Sequence, residues 1–515
     1  MNSDATPGSC CAPKRQREPA APHAGAIPEA NVADARQPMV ALPAATFLMG
    51  TNYGFPGDGE GPIRLVSLPR ILLQSLSRRR THIEHSGQLR LEHRLSLHKK
   101  FSASLICAVI LALCVPSNAA TVCNAGAYGA KADGKTKDTA ALQKAIDDCA
   151  RKGGGTVHLA KGTFLTGPIA LKSHITLEIE SGATLLGSQD KSDYQKITVM
   201  REDAVQPLIS ATNAQDIAIR GGGVIDGNGQ PWWAEVYAHK NSPDYVAAKR
   251  PRLILIDHSK HVRIEGVTIQ NSASWQVTLY YADDVIIRDG EILAPEHSPN
   301  TDGVDPFSSH HVTIAHMTID VGDDNVAIKS GQPGSPGPDD PSTDIDVSDC
   351  TFLHGHGMSI GSEVAGGVQN VRVARVQFKG TANGVRVKSN RDRGADIGNL
   401  DFRDLTMEDV ATPVLVTEYY PRIPDQDSAQ PVTRLTPRFH DIRVTNLSAT
   451  GAKIGGFIVG LPESPITSIS LTNVHISAEK GMTISNSTVT VHDFSVKVAS
   501  GDPLIMLEHA KVEQK

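Results

Sequence analysis

The sequence predicts an all-β fold: a right-handed parallel β-helix, that is, a single-stranded solenoid, with one N-terminal capping helix. Three observations predict it. A unit of two short segments with alternating apolar and polar residues recurs along the chain, a single segment has helical periodicity, and the composition combines 45 glycines with 4% aromatic residues. This composition favours many short strands joined by tight turns over a bundle of helices.

The helical segment runs from Asp138 to Arg151 and precedes three consecutive glycines at 153–155. Its apolar residues recur at helical spacing, an acid stands at its start, and the glycines end it. A helix at the start of a solenoid usually caps the open end of the core. We therefore predict one elongated domain over 120–515, although the chain is long enough for two or three compact domains.

The repeated unit is clearest in the middle of the chain. Each copy alternates apolar and polar residues, turns at a polar residue or a glycine, and alternates again. Copies begin at His261, Asp284, His311, Asp344 and Asn370, at intervals of 23, 27, 33 and 26 residues. Stacked units of this kind place strands about 4.8 Å apart around an apolar interior. The additional residues of the longer units should leave the solenoid as loops on one face.

Residue types that carry chemistry recur at similar intervals. Three acids interrupt segments rich in Val and Ile, where a packed chain tolerates few charges. A histidine and two cations follow, and the steps along this series are 21, 33 and 30 residues. The residues are Asp302, Asp323, Asp324, His356, Arg386 and Lys388. Stacking should bring them onto one groove, where crowding pushes the pKa values of carboxyl groups apart, as cleavage of a glycosidic bond requires.

These residues lie in four blocks that resemble the signature blocks of the polygalacturonases, glycoside hydrolase family 28. The blocks are Asn300-Thr301-Asp302, Gly322-Asp323-Asp324, Gly355-His356-Gly357 and Arg386-Val387-Lys388, and the resemblance extends over residues 122–490. It implies that Asp323 is the general acid, which protonates the leaving oxygen. Asp302 and Asp324 would act as general base on the attacking water. The resemblance also implies inversion at the anomeric carbon, which the coil spacing alone leaves open.

The other site residues follow from the same resemblance. His356 would tune the protonation of the acid, and Asn300 would orient the cluster beside the substrate. Arg386 and Lys388 would hold a substrate carboxylate, and Tyr420 would line the sugar groove. Two cations suit a polyacidic substrate, since Arg can bind a carboxylate through two hydrogen bonds. We expect neither an organic cofactor nor a metal ion.

The predicted function is hydrolysis of α-1,4-galacturonosidic bonds in pectate, the homogalacturonan of pectin. An alternative is hydrolysis of rhamnogalacturonan or xylogalacturonan. A different class is a non-catalytic carbohydrate-binding β-helix, which would have no reason to combine the acids with His356 and Arg386. Attack within the polymer (endo) or from its end (exo) stays open, because the loops at 331–343 and after Pro421 cannot be placed from the sequence.

The net charge limits the classes of binding partner, and the cysteines bear on the cellular compartment. The formal net charge of −6 argues against bulk binding to nucleic acid or to an anionic membrane. We expect a monomer whose partner is the pectic polysaccharide. Export would permit a disulfide between Cys123 and Cys149 at the N-terminal cap, leaving Cys350 buried and free.

The first 119 residues do not continue the solenoid pattern. Residues 98–119 combine a basic start, an apolar run from Phe101 to Val115 and small residues at 117–119, as in a signal peptide. We therefore expect a secreted or periplasmic protein that is free of the membrane once the signal is removed. Residues 39–68 resemble an N-terminal fragment of the formylglycine-generating sulfatase-modifying enzymes. We interpret 1–97 as disordered, or as a fusion or start-site artefact, because such a fragment cannot bury a core.

Overall fold

The computed structural model describes residues 121–239 and 248–515, together with the backbone of four short strands between residues 39 and 74. Met39–Leu42 pairs antiparallel with Ile71–Gln74, and Ala45–Met49 pairs with Arg64–Leu68. The signal peptide expected at 98–119 and the other residues of 1–97 lie outside the described part of the chain. What we expect of these segments therefore stays a prediction.

From residue 121 onward the chain winds through stacked coils, and a typical coil contributes one short strand to each of three parallel sheets. We call these sheets A, B and C, in the order in which a coil visits them. The stacking of coil on coil with parallel pairing is that of a right-handed parallel β-helix, so the predicted fold class is confirmed.

The strands of the first nine coils are short and regular. Sheet A contains Val122–Asn124, Gly155–Leu159, Ile175–Ile179, Gln215–Gly221, Lys260–Glu265, Asp283–Arg288, His310–Ala315, Ser342–Ser348 and Val368–Ala374. Sheet B contains Asp133–Lys137, Gly162–Thr166, Ala183–Gly187, Val224–Asp226, Thr268–Gln270, Glu291–Leu293, Thr318–Asp320, Thr351–Leu353 and Gln377–Lys379. Sheet C contains Ile169–Leu171, Ile209–Thr212, Ile254–Asp257, Val277–Tyr280, Val304–Phe307, Val326–Ile328, Met358–Ile360, Asn383–Lys388 and, from the tenth coil, Thr412–Thr417.

The C-terminal coils have longer strands that continue through the bends between sheets. They are Asp396–Glu408, Ile442–Val459, Ile466–Ser485 and Ser487–Val498, accompanied by the short strands Arg438–Phe439, Leu504–Met506 and Lys511–Gln514. One antiparallel hairpin, Lys196–Val199 with Glu202–Val205, stands apart from the three sheets.

The sequence repeats coincide with sheet A. The second residues of the five repeats form one row of paired positions across five coils. The row is Val262, Val285, Val312, Ile345 and Val371. The first residue of each repeat has a φ between 51° and 59°, a left-handed conformation that Asn, Asp and His adopt more readily than most residues. These polar side chains also link coils, as where Asn370 Nδ2 donates a hydrogen bond to Asp344 Oδ1 at 3.0 Å.

The interior consists of aliphatic rows that run along the solenoid. Ile264, Ile287, Ile314, Val347 and Val373 form one such row, in register and at most 1% exposed. Because the side-chain period of a strand is two, a shift of one residue would turn a whole strand's apolar side chains outward. The apolar alternation therefore fixes how each coil sits on the one before it.

The N-terminal helix α1, Thr139–Arg151, forms as predicted, with Asp138 at its N-cap position. It packs Leu142 and Ile146 into the same core as the first coils. A helix with one buried face at this point covers apolar residues of the first coils, which have no preceding coil to cover them.

The expected disulfide joins this helix to the first strand. Cys149 and Cys123 are bonded, with their Cα atoms 6.0 Å apart. Cys350 is buried and free, as expected, and burial raises the pKa of its thiol to about 11. It is therefore a poor nucleophile at neutral pH.

A second helix, α2, spans Gln230–His239, and the sequence pattern did not predict it. This helix has ten residues and buries Trp232, Trp233 and Val236. Two adjacent tryptophans on a short helix give no clear helical period in the sequence, which is why pattern reasoning missed it. Within the described residues, no helix is long and apolar enough to cross a membrane.

Candidate active site

Three of the predicted catalytic residues occupy equivalent positions in successive coils. Asp302, Asp324 and His356 each lie two residues before a member of one row of sheet C. That row is Val304, Val326 and Met358. Asp323 precedes Asp324 in the same connection. The β-helix therefore brings the four residues together at the edge of sheet C where its strands begin.

Asp324 is buried and held by three donors. Its Oδ1 accepts hydrogen bonds from Ser359 Oγ at 2.7 Å and from Arg386 Nη1 at 2.8 Å, and its Oδ2 accepts one from Lys388 Nζ at 2.9 Å. Burial alone would raise the pKa of Asp324, but the positive charges of Lys388 and Arg386 outweigh the burial. The pKa of Asp324 therefore lies well below its ordinary value, and the carboxylate is ionised.

Asp323 and His356 form a pair that reaches the surface. His356 Nδ1 lies 3.0 Å from Asp323 Oδ1 and 3.8 Å from Asp324 Oδ1. The side chains of His356 and Asp323 are 39% and 16% exposed. Burial raises the pKa of Asp323, but the hydrogen bond from His356 and its positive charge outweigh the burial, so the pKa lies below its ordinary value.

Asp302 is in the opposite electrostatic state. It is buried, and its Oδ1 has no hydrogen-bond partner. Burial, followed by the negative charges of Asp323 and Asp305, raises the pKa of Asp302 well above its ordinary value. Asp302 therefore binds a proton more readily than Asp324, whose pKa is shifted in the opposite direction. The crowded acids have thus been pushed apart in pKa, as the sequence suggested.

Two buried residues fix the connections that carry the acids. Thr301 Oγ1 accepts a hydrogen bond from the Gly322 N–H at 3.0 Å, next to Asp323. Asn325 Oδ1 accepts one from the Gly357 N–H at 2.8 Å, next to His356. Thr301 and Asn325 are each adjacent to an acid in the sequence. The blocks that contain the acids therefore also contain residues that hold neighbouring coils in register.

Gly357 is required by the backbone itself. Its φ is 83°, and a Cβ added there would lie 2.0 Å from the carbonyl oxygen of Asn383. A side chain at this position would push the coil of His356 away from the next coil. The Gly-His-Gly block therefore has a packing role beside any catalytic role of His356.

The cations expected to bind substrate are paired with an acid. Arg386 and Lys388 stand two residues apart on one strand and both contact Asp324. The ring centroid of Tyr420 lies 5.1 Å from Lys388 Nζ and 6.0 Å from Arg386 Cζ. Arg386 Nε has no hydrogen-bond partner. Binding of a substrate carboxylate by these residues stays a prediction, and holding Asp324 ionised is a role that the sequence did not indicate.

Asn300 lies beside Asp302 in the chain, with its amide oxygen already engaged. Arg250 Nη2 donates a hydrogen bond to Asn300 Oδ1 at 2.5 Å, and Arg250 Nη1 donates one to the Pro299 carbonyl oxygen at 2.7 Å. Arg250 therefore anchors the connection that leads to Asp302. The role expected of Asn300 toward the substrate stays a prediction.

A cluster of buried charges next to the acids was missed. Both carboxylate oxygens of Asp305 lack a hydrogen-bond partner, and burial raises the pKa of Asp305 well above its ordinary value. Lys329 Nζ donates a hydrogen bond to Glu363 Oε2 at 3.0 Å. Burial alone would raise the pKa of Glu363, but the positive charge of Lys329 outweighs the effect of burial. The pKa of Glu363 is lowered to about 2. Strand alternation could have signalled Asp305 and Lys329, because they follow the acids on the outer face of sheet C.

The arrangement also resembles a metal site in its spacing. Asp323, Asp324 and His356 offer ligand atoms that all lie within 4.8 Å of one another. The two cations already bonded to Asp324 would repel a divalent ion placed there. The expectation that the protein needs no metal stays a prediction.

Comparison with known proteins agrees with the geometry. The family model "Glycosyl hydrolases family 28" matches residues 149–458. A probable polygalacturonase from Vitis vinifera is 31% identical over 370 residues, which cover 68% of this chain and 74% of the relative. An endo-polygalacturonase from Pectobacterium carotovorum subsp. carotovorum is 30% identical over 381 residues, which cover 70% of this chain and 89% of the relative.

A solved structure has the same architecture. The exopolygalacturonase from Thermotoga maritima matches with a TM-score of 0.59 and 27% identity, over 76% of this chain and 92% of that structure. The family model covers more than half of the chain and includes all four signature blocks. The chain therefore belongs to glycosyl hydrolase family 28, and it is a glycoside hydrolase.

Proposed function

We propose that this protein hydrolyses α-1,4-galacturonosidic bonds of pectate, with inversion at the anomeric carbon. The observation that carries the proposal is the cluster of three acids of unequal pKa beside two cations on the outer face of sheet C. Acids of unequal pKa divide acid and base work, and cations beside them suit a polymer that carries a carboxylate on each sugar. The relatives named as polygalacturonases support this substrate.

In this proposal Asp323 protonates the leaving oxygen. His356 lowers the pKa of Asp323 through its hydrogen bond and charge, so Asp323 must gain a proton before the bond to the leaving oxygen breaks. A polymer that covers the groove would bury Asp323 further and raise its pKa. The hydrogen bond from His356 Nδ1 then offers a direct route for that proton, and His356 acts as its donor.

Asp302 and Asp324 hold the attacking water between them. Asp324 is the weaker base, because Arg386 and Lys388 stabilise its ionised form, so we assign it to orienting the water. Asp302, with its raised pKa, is the stronger base once it has lost its own proton. The water proton passes to Asp302, the water oxygen bonds to the anomeric carbon, and the proton of Asp323 passes to the leaving oxygen.

Arg386 and Lys388 complete the proposed site by binding a galacturonate carboxylate with the donors that Asp324 leaves unused. Tyr420 would then lie against the sugar held by these cations. Asn300 would lie at the edge of the site next to Asp302. A hydrogen bond to a charged group is worth about 1.5–3 kcal/mol. Sugars without a carboxylate should therefore bind less well at this position.

We propose further that the enzyme acts as a secreted or periplasmic monomer, exported by the signal at 98–119. The extracellular location of pectin supports this, since an enzyme that acts on cell walls must leave the cell. Mass spectrometry of the exported protein should give an N-terminus near residue 120. Peptides from residues 1–97 in that sample would contradict both the signal and the interpretation of 1–97 as an artefact.

A panel of pectic polymers tests the substrate. We expect the full chain to release reducing ends from polygalacturonate at least about tenfold faster than from rhamnogalacturonan or xylogalacturonan, because each lost charged contact weakens binding by that order. A chelator should leave the rate unchanged, and no unsaturated product should form. Preference for another backbone would reassign the substrate, and unsaturated products would indicate a lyase.

A further inference from the structure

A hairpin and a loop from opposite sides of sheet C meet above its outer face. The hairpin 196–205 belongs to the connection from sheet B to sheet C, whereas the loop 329–341 leads from sheet C to sheet A. Arg201 Nη1 lies 2.7 Å from Asp339 Oδ1, and Gln332 Nε2 donates a hydrogen bond to the Met200 carbonyl oxygen at 3.2 Å. We call these two joined segments the strap.

The strap rests on side chains that point outward from sheet C. Met200, at the tip of the hairpin, is 2% exposed and packs with Leu255, Tyr280 and Phe307 in an apolar cluster separate from the main core. The three sheet residues belong to consecutive strands. Trp275 packs against the same cluster. The outer face of these three coils is therefore covered.

The two residues in the turn of the hairpin have an unusual backbone conformation for their type. Met200 and Arg201 form a two-residue turn with φ values of 55° and 61°. Asn and Gly are the usual residues of such a turn, because most other side chains are strained there. Met200 contacts the sheet and Arg201 contacts the opposite loop. The two strained residues are thus the same residues that connect the hairpin to the sheet and to the loop. Backbone strain at residues that make such contacts is typical of functional segments.

The covered coils adjoin the acids. Phe307 ends the strand that Asp302 precedes, so the strap covers sheet C from the coil of Asp302 toward the N-terminus. Asp324, His356 and Arg386 lie on the following coils, in the opposite direction. Coils are about 4.8 Å apart. An extended polymer that passed the acids would therefore meet the strap within one or two coils.

We infer that the strap closes one end of the substrate groove, so that the enzyme attacks pectate from a chain end and releases mono- or dimers. The inference rests on the proposed function and specifies its mode of attack. The named relatives include both an endo-polygalacturonase and an exopolygalacturonase, so the mode of attack is inferred from the strap of this chain and not from the relatives.

Early product sizes test the inference. The full chain should release only mono- or dimers from long polygalacturonate, and viscosity should fall slowly relative to the bonds broken. In a first variant, Asn-Gly replaces residues 196–205, since the Gln206 N–H already donates to the Gln195 carbonyl oxygen at 2.9 Å. A second, milder variant combines Met200→Gly with Arg201→Gly, which removes the contacting side chains and relieves the turn.

Both variants should shift the early products to oligomers of mixed length. His509→Gly, at another residue with positive φ but in the C-terminal coils, should leave the products unchanged. Mixed oligomers from the unaltered protein would overturn the inference, and so would mono- or dimers from both hairpin variants. A complete lack of pectate hydrolysis by the folded protein would instead overturn the proposed function, and the inference with it.

Discussion

Asp323→Asn should lower kcat on polygalacturonate by a factor of about 10²–10⁴, the usual contribution of a general acid. The amide keeps the size of the carboxylate but cannot deliver a proton to the leaving oxygen. The Michaelis constant should change little, because the substrate contacts assigned to Arg386 and Lys388 remain. Initial rates of reducing-end release measure both parameters.

A synthetic aryl galacturonide with an acidic phenol as leaving group distinguishes the residue that acts as general acid from the residue that acts as general base. Such a phenol needs little protonation, so Asp323→Asn should lose far less activity on this substrate than on the polymer. Asp302→Asn should be equally impaired on both. The reverse pattern would make Asp302 the acid, the assignment that its raised pKa would favour. Asp283→Asn is the matched control, because Asp283 lies 2.8 Å from His311 Nδ1 in sheet A, away from the site.

Asp324→Asn should destabilise the fold by about 3–5 kcal/mol and abolish activity, because breaking a buried pair leaves uncompensated charge. Arg386 and Lys388 would lose the carboxylate that both contact. Denaturant unfolding at neutral pH measures the free energy. Asp346→Asn is the control, since its contact with Arg372 at 3.6 Å is partly exposed and should contribute less than about 1 kcal/mol.

The stability difference between the wild type and Asp324→Asn should depend on pH. The folded pKa of Asp324 lies below its value in the unfolded chain, so the stabilisation is fully present above the unfolded value of about 3.9 and is lost as pH falls toward the folded pKa. The difference should be largest near neutral pH and shrink below about pH 4. A difference that stayed constant down to pH 2 would contradict an ionised Asp324.

The fold could be predicted because its determinants are local and repeated. The polar residues that begin each repeat, such as Asp344 and Asn370, take the left-handed conformation, and the apolar residues after them form the rows of the core. The helix α2 could not be predicted, because tertiary burial of Trp232 and Trp233 decides it. The strap was equally out of reach, since Arg201 and Asp339 are 138 residues apart.

That the candidate site residues lie close together could be predicted from the sequence, but their contacts could not. Coil-sized spacing placed Asp302, Asp324 and His356 on one edge, and the structure brings them together there. Sequence spacing could not show that Arg386 and Lys388 contact Asp324. Those contacts depend on the side-chain conformations, which decide which neighbouring coil each cation reaches. Nor could spacing give the order of pKa values, which burial and neighbouring charges set in the folded protein.

The most direct test of hydrolysis by these acids is proton NMR of polygalacturonate during the first turnovers by the full chain. We predict that the new reducing ends appear first as the β-anomer and reach the α/β mixture only later, by mutarotation, with no unsaturated uronide signal. Reducing ends that appear first as the α-anomer would contradict attack by a water held between Asp302 and Asp324, and unsaturated products would contradict hydrolysis altogether.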